Sequence, residues 1–249
     1  VVAARNAVLF LVAWEAMSLA SFFLVTFEDE REEVRNAGWT YLVATHLGTA
    51  FLLALFALLG RQTGSMNFDQ FTAMSAASPT LASVLFLLAL VGFGTKAGFM
   101  PLHVWLPEAH PAAPSHVSAV MSGVMIKLGI YGILRTLTFL GHPPAWWGLT
   151  LLMIGVTSGV LGVVFALAQH DLKRLLAYHS VENIGIIALG LGIGLLGQSA
   201  GQPVMSWLGF GGALLHVLNH SLFKGLLFLG AGSVLHATGT RELDRLGGL

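Results

Sequence analysis

The chain contains no cysteine. Its absence removes disulfides, thiolate metal sites and Cys-ligated iron–sulfur clusters together, so any cluster chemistry linked to this protein belongs to another chain. Charge is almost as scarce. Charged residues fill 10% of the 249 positions, 12 Lys and Arg against 12 Asp and Glu, where a water-soluble domain devotes about 25% to them. These are too few to coat a soluble surface. The formal net charge of zero also leaves no basic footprint for nucleic acid. What fills the sequence is apolar: 55% of residues are hydrophobic and 30 are Gly. Runs of about 20 apolar residues recur along the whole length, each long enough to cross a ~30 Å hydrocarbon core. The fold class that follows is all-α, a polytopic membrane helix bundle in the lipid bilayer.

About seven membrane helices are expected. The first runs from Ala7 to Phe27 and is stopped at a membrane surface by the charged EDEREEVR, Glu28 to Arg35. The second covers Asn36 to Gly60, with a short surface-lying helix after it over Met66 to Met74. The third starts near Pro79 and carries Gly92, Gly94, Gly98 and Pro101 in quick succession, so it should break before its apolar run ends. Helix four is Ser115 to Leu140, helix five Trp146 to Ala168, helix six Leu175 to Gly197 and helix seven Val204 to His236. QHDLKR, Gln169 to Arg174, reads as the loop before helix six, and TRELDRLGGL as a polar end.

One set of loops collects Arg31, Arg35, Lys173, Arg174, Arg241 and Arg245, against Arg5, Arg61 and Arg135 on the other side. The first side is therefore expected to be cytoplasmic. No signal-peptide pattern precedes the first span, which opens almost at residue 1. The expectation is a single partial membrane domain over 1–249, a segment of a longer chain.

Ionisable groups within these spans need a reason, because a charge at the bilayer centre costs ~2.5 kcal/mol or more. Glu15 falls in the middle of helix one, Lys96 at the break of helix three, Lys127 in the middle of helix four and Lys224 in the lower half of helix seven. Glu182 in helix six is shallower. One reading is structural, as ion pairs or snorkelling side chains. The other is proton transfer: a desolvated ammonium gives up its proton more readily, and a nearby carboxylate restores the charged form. Glu15 beside Lys96 would then be a switchable pair and Lys127 the next station, with water or hydroxyls filling the gaps.

His216, His220 and Lys224 follow at i, i+4 and i+8, on nearly one helix face. Imidazole can accept a proton on one nitrogen and release one from the other. A metal reading lacks a third ligand in the sequence and places a Lys beside the cation, and polar glue between helices is the plain structural reading. His46, His116 and His179 are open between transfer and packing.

The stretch GTKAGFMPLHVWLPEAHPAAPSHVSAVMSGVMIKLGIYGILR, Gly94 to Arg135, resembles the core of the antiporter-like proton-translocating subunits. Respiratory complex I, the multisubunit Na+/H+ (Mrp-type) antiporters and membrane-bound hydrogenases share these subunits. The K-x4-PLH-x-WLP-x-AH run together with MIKLGIYGILR carries the likeness. AYHSVENIGII, Ala177 to Ile187, and HVLNHSLFKGLLFLGAGSVLHATGTRELDRLGGL from His216 draw it toward the hydrogenase-4 component B and formate hydrogenlyase subunit 3 branch. The resemblance implies two inverted repeats, each with one discontinuous helix, of which this chain matches the portion from the fifth helix to the eleventh. On it, the family's Glu falls on Glu15, its discontinuous-helix Lys on Lys96 and its central Lys on Lys127. Its later His and Lys fall on His220 and Lys224, with His216 matching the hydrogenase branch. The family's terminal Lys or Glu lies beyond Leu249.

The expected function is thus a proton-translocating membrane subunit of a hydrogenase or NADH-quinone oxidoreductase complex in a prokaryotic inner membrane. It would hold no cofactor or metal of its own and would be driven by redox chemistry in hydrophilic and membrane partner subunits. The alternative is a subunit of an Mrp-type antiporter driven by an ion gradient. A haem b carrier would need His pairs at matching depth on facing helices, and a purely structural anchor leaves mid-span Lys96 and Lys127 unexplained.

Overall fold

In the computed structural model, which describes residues 1–72, 74 and 78–248, several helices begin where a side chain or a charge suits their exposed amides. Asn6 accepts from the amides of Val8 and Leu9 and starts α1, Ala7–Val25. Glu32 and Glu33 occupy the first turn of α2, Glu32–Thr63, where acidic groups complement the positive end of the helix dipole. Half of EDEREEVR is therefore helix rather than loop. Asp171 accepts from the amides of Lys173 and Arg174 and starts α9, Leu172–Ser199. Lys173 and Arg174 accordingly lie in a helical first turn, a correction to the loop read from the sequence. Ser78 caps α4, Pro79–Ala97, with Pro at the tolerated first position.

The order continues through the single turn α3, Phe68–Phe71; α5, Leu106–Ala112; α6, Ser115–Val120; a π-helical stretch, Met121–Met125; α7, Ile126–Leu137; α8, Ala145–Leu167; and α10, Pro203–Thr238. Seven segments are long and apolar enough to cross a membrane: α1, α2, α4, Ser115–Leu137, α8, α9 and α10. The architecture is all-helical among the described residues, and the polytopic bundle expected from composition is what the chain forms. Boundaries moved by a few residues, most where a cap was overlooked. The π stretch left no signal in MSGVM.

The segment after α2 differs more. Within Met66 to Met74 a helix does form, but only as the single turn α3, with Asp69 and Gln70 exposed; Ala73, within that range, is outside the described residues. Phe68 and Phe71 turn inward and are buried. Phe68 stacks on Phe56 at 5.7 Å and meets Phe10 at 5.9 Å and Phe139 at 5.7 Å. Aromatic burial decides the position of this turn.

α8, α9 and α10 pack through glycine. A Cβ on Gly185 of α9 would lie 2.6 Å from the Gly159 amide nitrogen and 2.8 Å from the Gly155 carbonyl. On α10, a Cβ on Gly209 would lie 2.4 Å from the Gly194 nitrogen. In lipid the hydrophobic effect no longer drives helices together, so contact between backbones at this range supplies the attraction. Gly185→Leu should separate α8 from α9 and destabilise the bundle by about 1–3 kcal/mol. A thermal midpoint in detergent equal to that of the parent protein would contradict this packing.

Candidate functional site

The site is built around the end of α4. Gly98, with φ of 85°, terminates the helix, and its amide bonds back to Gly94 and Thr95. Only glycine adopts this left-handed cap without strain. The chain then crosses to α5 without helical bonds, and other elements satisfy the freed groups. Trp105 Nε1 donates to the Thr95 carbonyl at 2.8 Å, and the Met100 amide donates to Ser158 Oγ at 3.1 Å. Irregular backbone is thus lined with partners, as a lipid setting requires.

Lys96, one residue before the end of α4, is buried. Its Nζ donates to Ser18 Oγ at 2.8 Å and to Tyr41 Oη at 3.4 Å. The Trp14 and Tyr41 ring centroids lie 5.5 and 5.3 Å from the ammonium, within cation–π range. The expected contact between Lys96 and Glu15 is not formed. Glu15 Oε2 instead lies 3.4 Å from His46 Nε2, and Oε1 has no partner among the described residues. Helix periodicity explains the difference: Ser18, three residues on, is the α1 group that reaches α4, and Glu15 turns toward α2. Glu15 remains the acidic side chain whose charge acts on Lys96.

Lys127 opens α7 directly after the π-helical stretch and donates to the Ser122 carbonyl within it. From there the polar contacts continue. Ser122 Oγ and Ser180 Oγ are 2.8 Å apart, Ser180 Oγ donates to the Leu176 carbonyl at 3.0 Å, and Lys224 Nζ donates to that same carbonyl at 2.8 Å. Lys127 and Lys224 are therefore anchored on backbone carbonyls at either end of a buried polar seam through α9, with the Ser122–Ser180 hydroxyl pair between them. Ser122 and Ser180 were missed in the sequence because small hydroxyls in apolar helices are ordinary packing residues there.

His216, His220 and Lys224 face α9 together. His216 Nε2 lies 3.0 Å from Asn183 Oδ1, an acceptor, so Nε2 carries the hydrogen. His220 is fully buried, with neither ring nitrogen partnered among the described residues. Its ring lies 6.3 Å from that of His216. Glu182 pairs with His179 one turn away on α9, and His116 is exposed.

Two basic residues were overlooked. His110 of α5 is fully buried, stacks on Phe228 at 4.6 Å and has both ring nitrogens unpartnered. The charges of Lys173, Lys224 and Lys127 all act on it. Lys173 is buried too and donates to the Ala113 carbonyl. Asp171 ahead of Leu172, a cap residue before an apolar helix start, was the signal that could have placed Lys173 in a helix. Among the described residues no group of three or more His, Asp or Glu is arranged to hold a metal.

The fold and site define a class, a membrane helix bundle with an interrupted helix and a buried row of Lys and His. Residues 4–249 match the family described as NADH:quinone oxidoreductase/Mrp antiporter, TM, and the chain belongs to it. It is 50% identical over 247 residues to hydrogenase-4 component B of Escherichia coli (strain K12), covering 98% of this chain and 36% of that protein. It is 42% identical over 248 residues to formate hydrogenlyase subunit 3 of the same strain, covering 100% of this chain and 40% of that one. The solved structure of the Mrp complex from Dietzia sp. DQ12-45-1b contains a chain that matches with a TM-score of 0.84 at 35% identity. The match covers 96% of this chain and 25% of that one. The sequence thus spans well under half the length of these relatives.

Removing the hydroxyl that holds Lys96 should be felt directly. Ser18→Ala is expected to destabilise the protein by about 1–3 kcal/mol, since a buried ammonium loses its nearest acceptor, whereas Ser18→Thr should stay close to the parent. Equal thermal midpoints for the Ala and Thr variants would show that the contact contributes nothing.

Proposed function

We propose that this chain is the proton-carrying part of a membrane subunit in a hydrogenase or NADH-quinone oxidoreductase type of complex. Redox energy released in partner subunits drives it. The observation that carries the reading is the buried polar seam from Lys127 through Ser122, Ser180 and the Leu176 carbonyl to Lys224. Hydroxyls can take and give a proton in one motion and each ammonium can hold one or release it; the Ser122 and Leu176 carbonyls only accept hydrogen bonds, so water has to complete the connection between Lys127 and Lys224. Lys127 is the central relay. Lys96, with Glu15 acting on it through space, is the gate; His216, His220 and Lys224 carry the path along the membrane plane. The end of the bundle bearing Arg31, Arg35, Lys173, Arg174, Arg241 and Arg245 faces the cytoplasm.

A second reading is a subunit of an Mrp-type Na+/H+ antiporter, and the likeness to the Dietzia Mrp complex favours it. The same residues serve either role, so the genes beside the full reading frame separate them: hydrogenase or quinone-oxidoreductase subunits in one case, other antiporter subunits in the other.

In the full-length parent, Lys127→Ala should lower proton translocation by about a hundredfold or more while leaving the complex assembled. Lys127→Arg should be nearly as damaging, because a guanidinium does not release its proton. Translocation at normal stoichiometry in either variant removes Lys127 from the path. A Soret band that shifts on reduction of the purified protein would replace this function with electron transfer by haem.

A further inference from the structure

The last carbonyls of α5 are held from outside the helix. A helix end leaves its final carbonyls without intrahelical donors, and at this depth each needs one. Ser118 Oγ donates to the His110 carbonyl at 2.9 Å, Arg241 Nη1 to the Pro111 carbonyl at 2.6 Å, and Lys173 to the Ala113 carbonyl. On the outer face Arg174 Nη2 reaches both oxygens of Glu108 at 2.9 and 2.8 Å. Two cations at the negative end of the α5 dipole favour this placement.

Arg241 is the member that joins three elements. Its Nε lies 3.1 Å from Asp171 Oδ2, the residue that caps α9. Its backbone carbonyl accepts from the Leu172 amide at 3.0 Å, and two residues later the Leu243 amide donates to the His170 carbonyl at 2.8 Å. His170 pairs in turn with Asp244 at 2.8 Å. The segment after α10 is thereby laid antiparallel along the start of α9, and the Arg241 side chain continues from it to the Pro111 carbonyl of α5. A polar cavity of about 330 Å³ opens beside this junction, walled by Glu28, Ala112, Ser115, Asp171, Lys173 and Arg241.

We propose that Arg241 is a positioning residue that ties the C-terminal end of the half-helix α5 to the junction of α9 and α10. α5, and His110 on it, shifts against Phe228 and the lysines only when this tie is released. The tie stands on the contacts above; its consequence for proton transfer rests on the function already proposed.

This stretch carries no cysteine, so labelling of a thiol introduced into it can be read against the parent protein, which lacks that thiol, as background. Ala112→Cys, introduced into the full-length parent in its membrane, places a thiol on the cavity wall, and its reaction with a membrane-impermeant maleimide is followed at rest, without turnover. Adding Arg241→Gln should accelerate labelling by about tenfold as the end of α5 opens. Asp171→Asn retains an N-cap side chain and leaves the bond from Arg241 to Pro111 in place, so it should change the rate by less than about twofold. Labelling at the parent rate in Arg241→Gln overturns the proposal. So does equal acceleration in Asp171→Asn, which would assign the effect to the ion pair rather than to α5. If Arg241→Gln does not reach the membrane, Arg241→Lys serves, since it lacks the planar fork whose Nε and Nη1 meet Asp171 and the Pro111 carbonyl separately. It should label faster than Asp171→Asn, and an equal rate is again fatal. Loss of translocation in the parent protein itself would sink the proposed function and leave the labelling result standing.

Discussion

The structure depends on one constraint, that a polar group within the bilayer finds its partner inside the protein. An unbroken helix meets it automatically, and α8 and most of α10 do so. Where α4 stops at Ala97, the constraint has to be met by side chains instead. The Trp105 indole, Ser158 and the αL turn at Gly98 take up the freed groups on one side of the gap. Beyond the gap, Ser118, Arg241 and Lys173 hold the carbonyls at the far, C-terminal end of α5. Interrupting a helix thus recruits polar residues from α8, α6, α9 and the segment after α10 to a single region.

Those recruits explain why the buried basic residues lie where they do. Lys96 sits at the last turn before the break and is held by hydroxyls and aromatic faces rather than by a carboxylate. Lys127 follows directly on the π-helical stretch, a local widening that is frequent at functional sites. Lys173 caps the far end of the interruption. Lys96, Lys127 and Lys173 each adjoin a place where regular α-helix begins or ends, whereas Lys224 lies within unbroken α10.

Much of this was legible in the residues. Apolar runs gave the spans, because hydrophobic length is the quantity that a bilayer selects. GTKAGFMP announced the end of α4, since Gly98 and Pro101 both act through local backbone sterics. The spacing of His216, His220 and Lys224 placed them on one face, and all three are turned to α9. Contacts between distant segments were not legible. Whether Glu15 or Ser18 meets Lys96 depends on the rotation of α1 about its axis, which packing of Trp14 and Phe10 against Phe93 sets. The inward turn of Phe68 and Phe71 depends on Phe10, Phe56 and Phe139, up to 71 residues away in the chain. Lys173 was misplaced for a smaller reason: its own charge suggested a loop, and the Asp171 cap that draws it into α9 outweighed that charge.

Having basic groups without acids in direct contact sets how such a row can operate. Ammonium ions at Lys127 and Lys224 repel each other strongly in a low-dielectric interior, with no carboxylate bonded to either. An arrangement that held every lysine charged at once would be costly. A hydroxyl of the Ser122–Ser180 pair can donate on one side while accepting on the other, but Lys127 and Lys224 bond backbone carbonyls and not these hydroxyls, so a proton passing between them would need water to complete the way. Glu15 influences Lys96 from one helix turn beyond the hydrogen bond made by Ser18, close enough to bias it and not bound to it. A direct ion pair would hold the proton on Lys96; a carboxylate engaged with His46 can alter its influence through its own partner. On the function proposed, such a row would be charged stepwise, each station occupied only after its neighbour has been emptied.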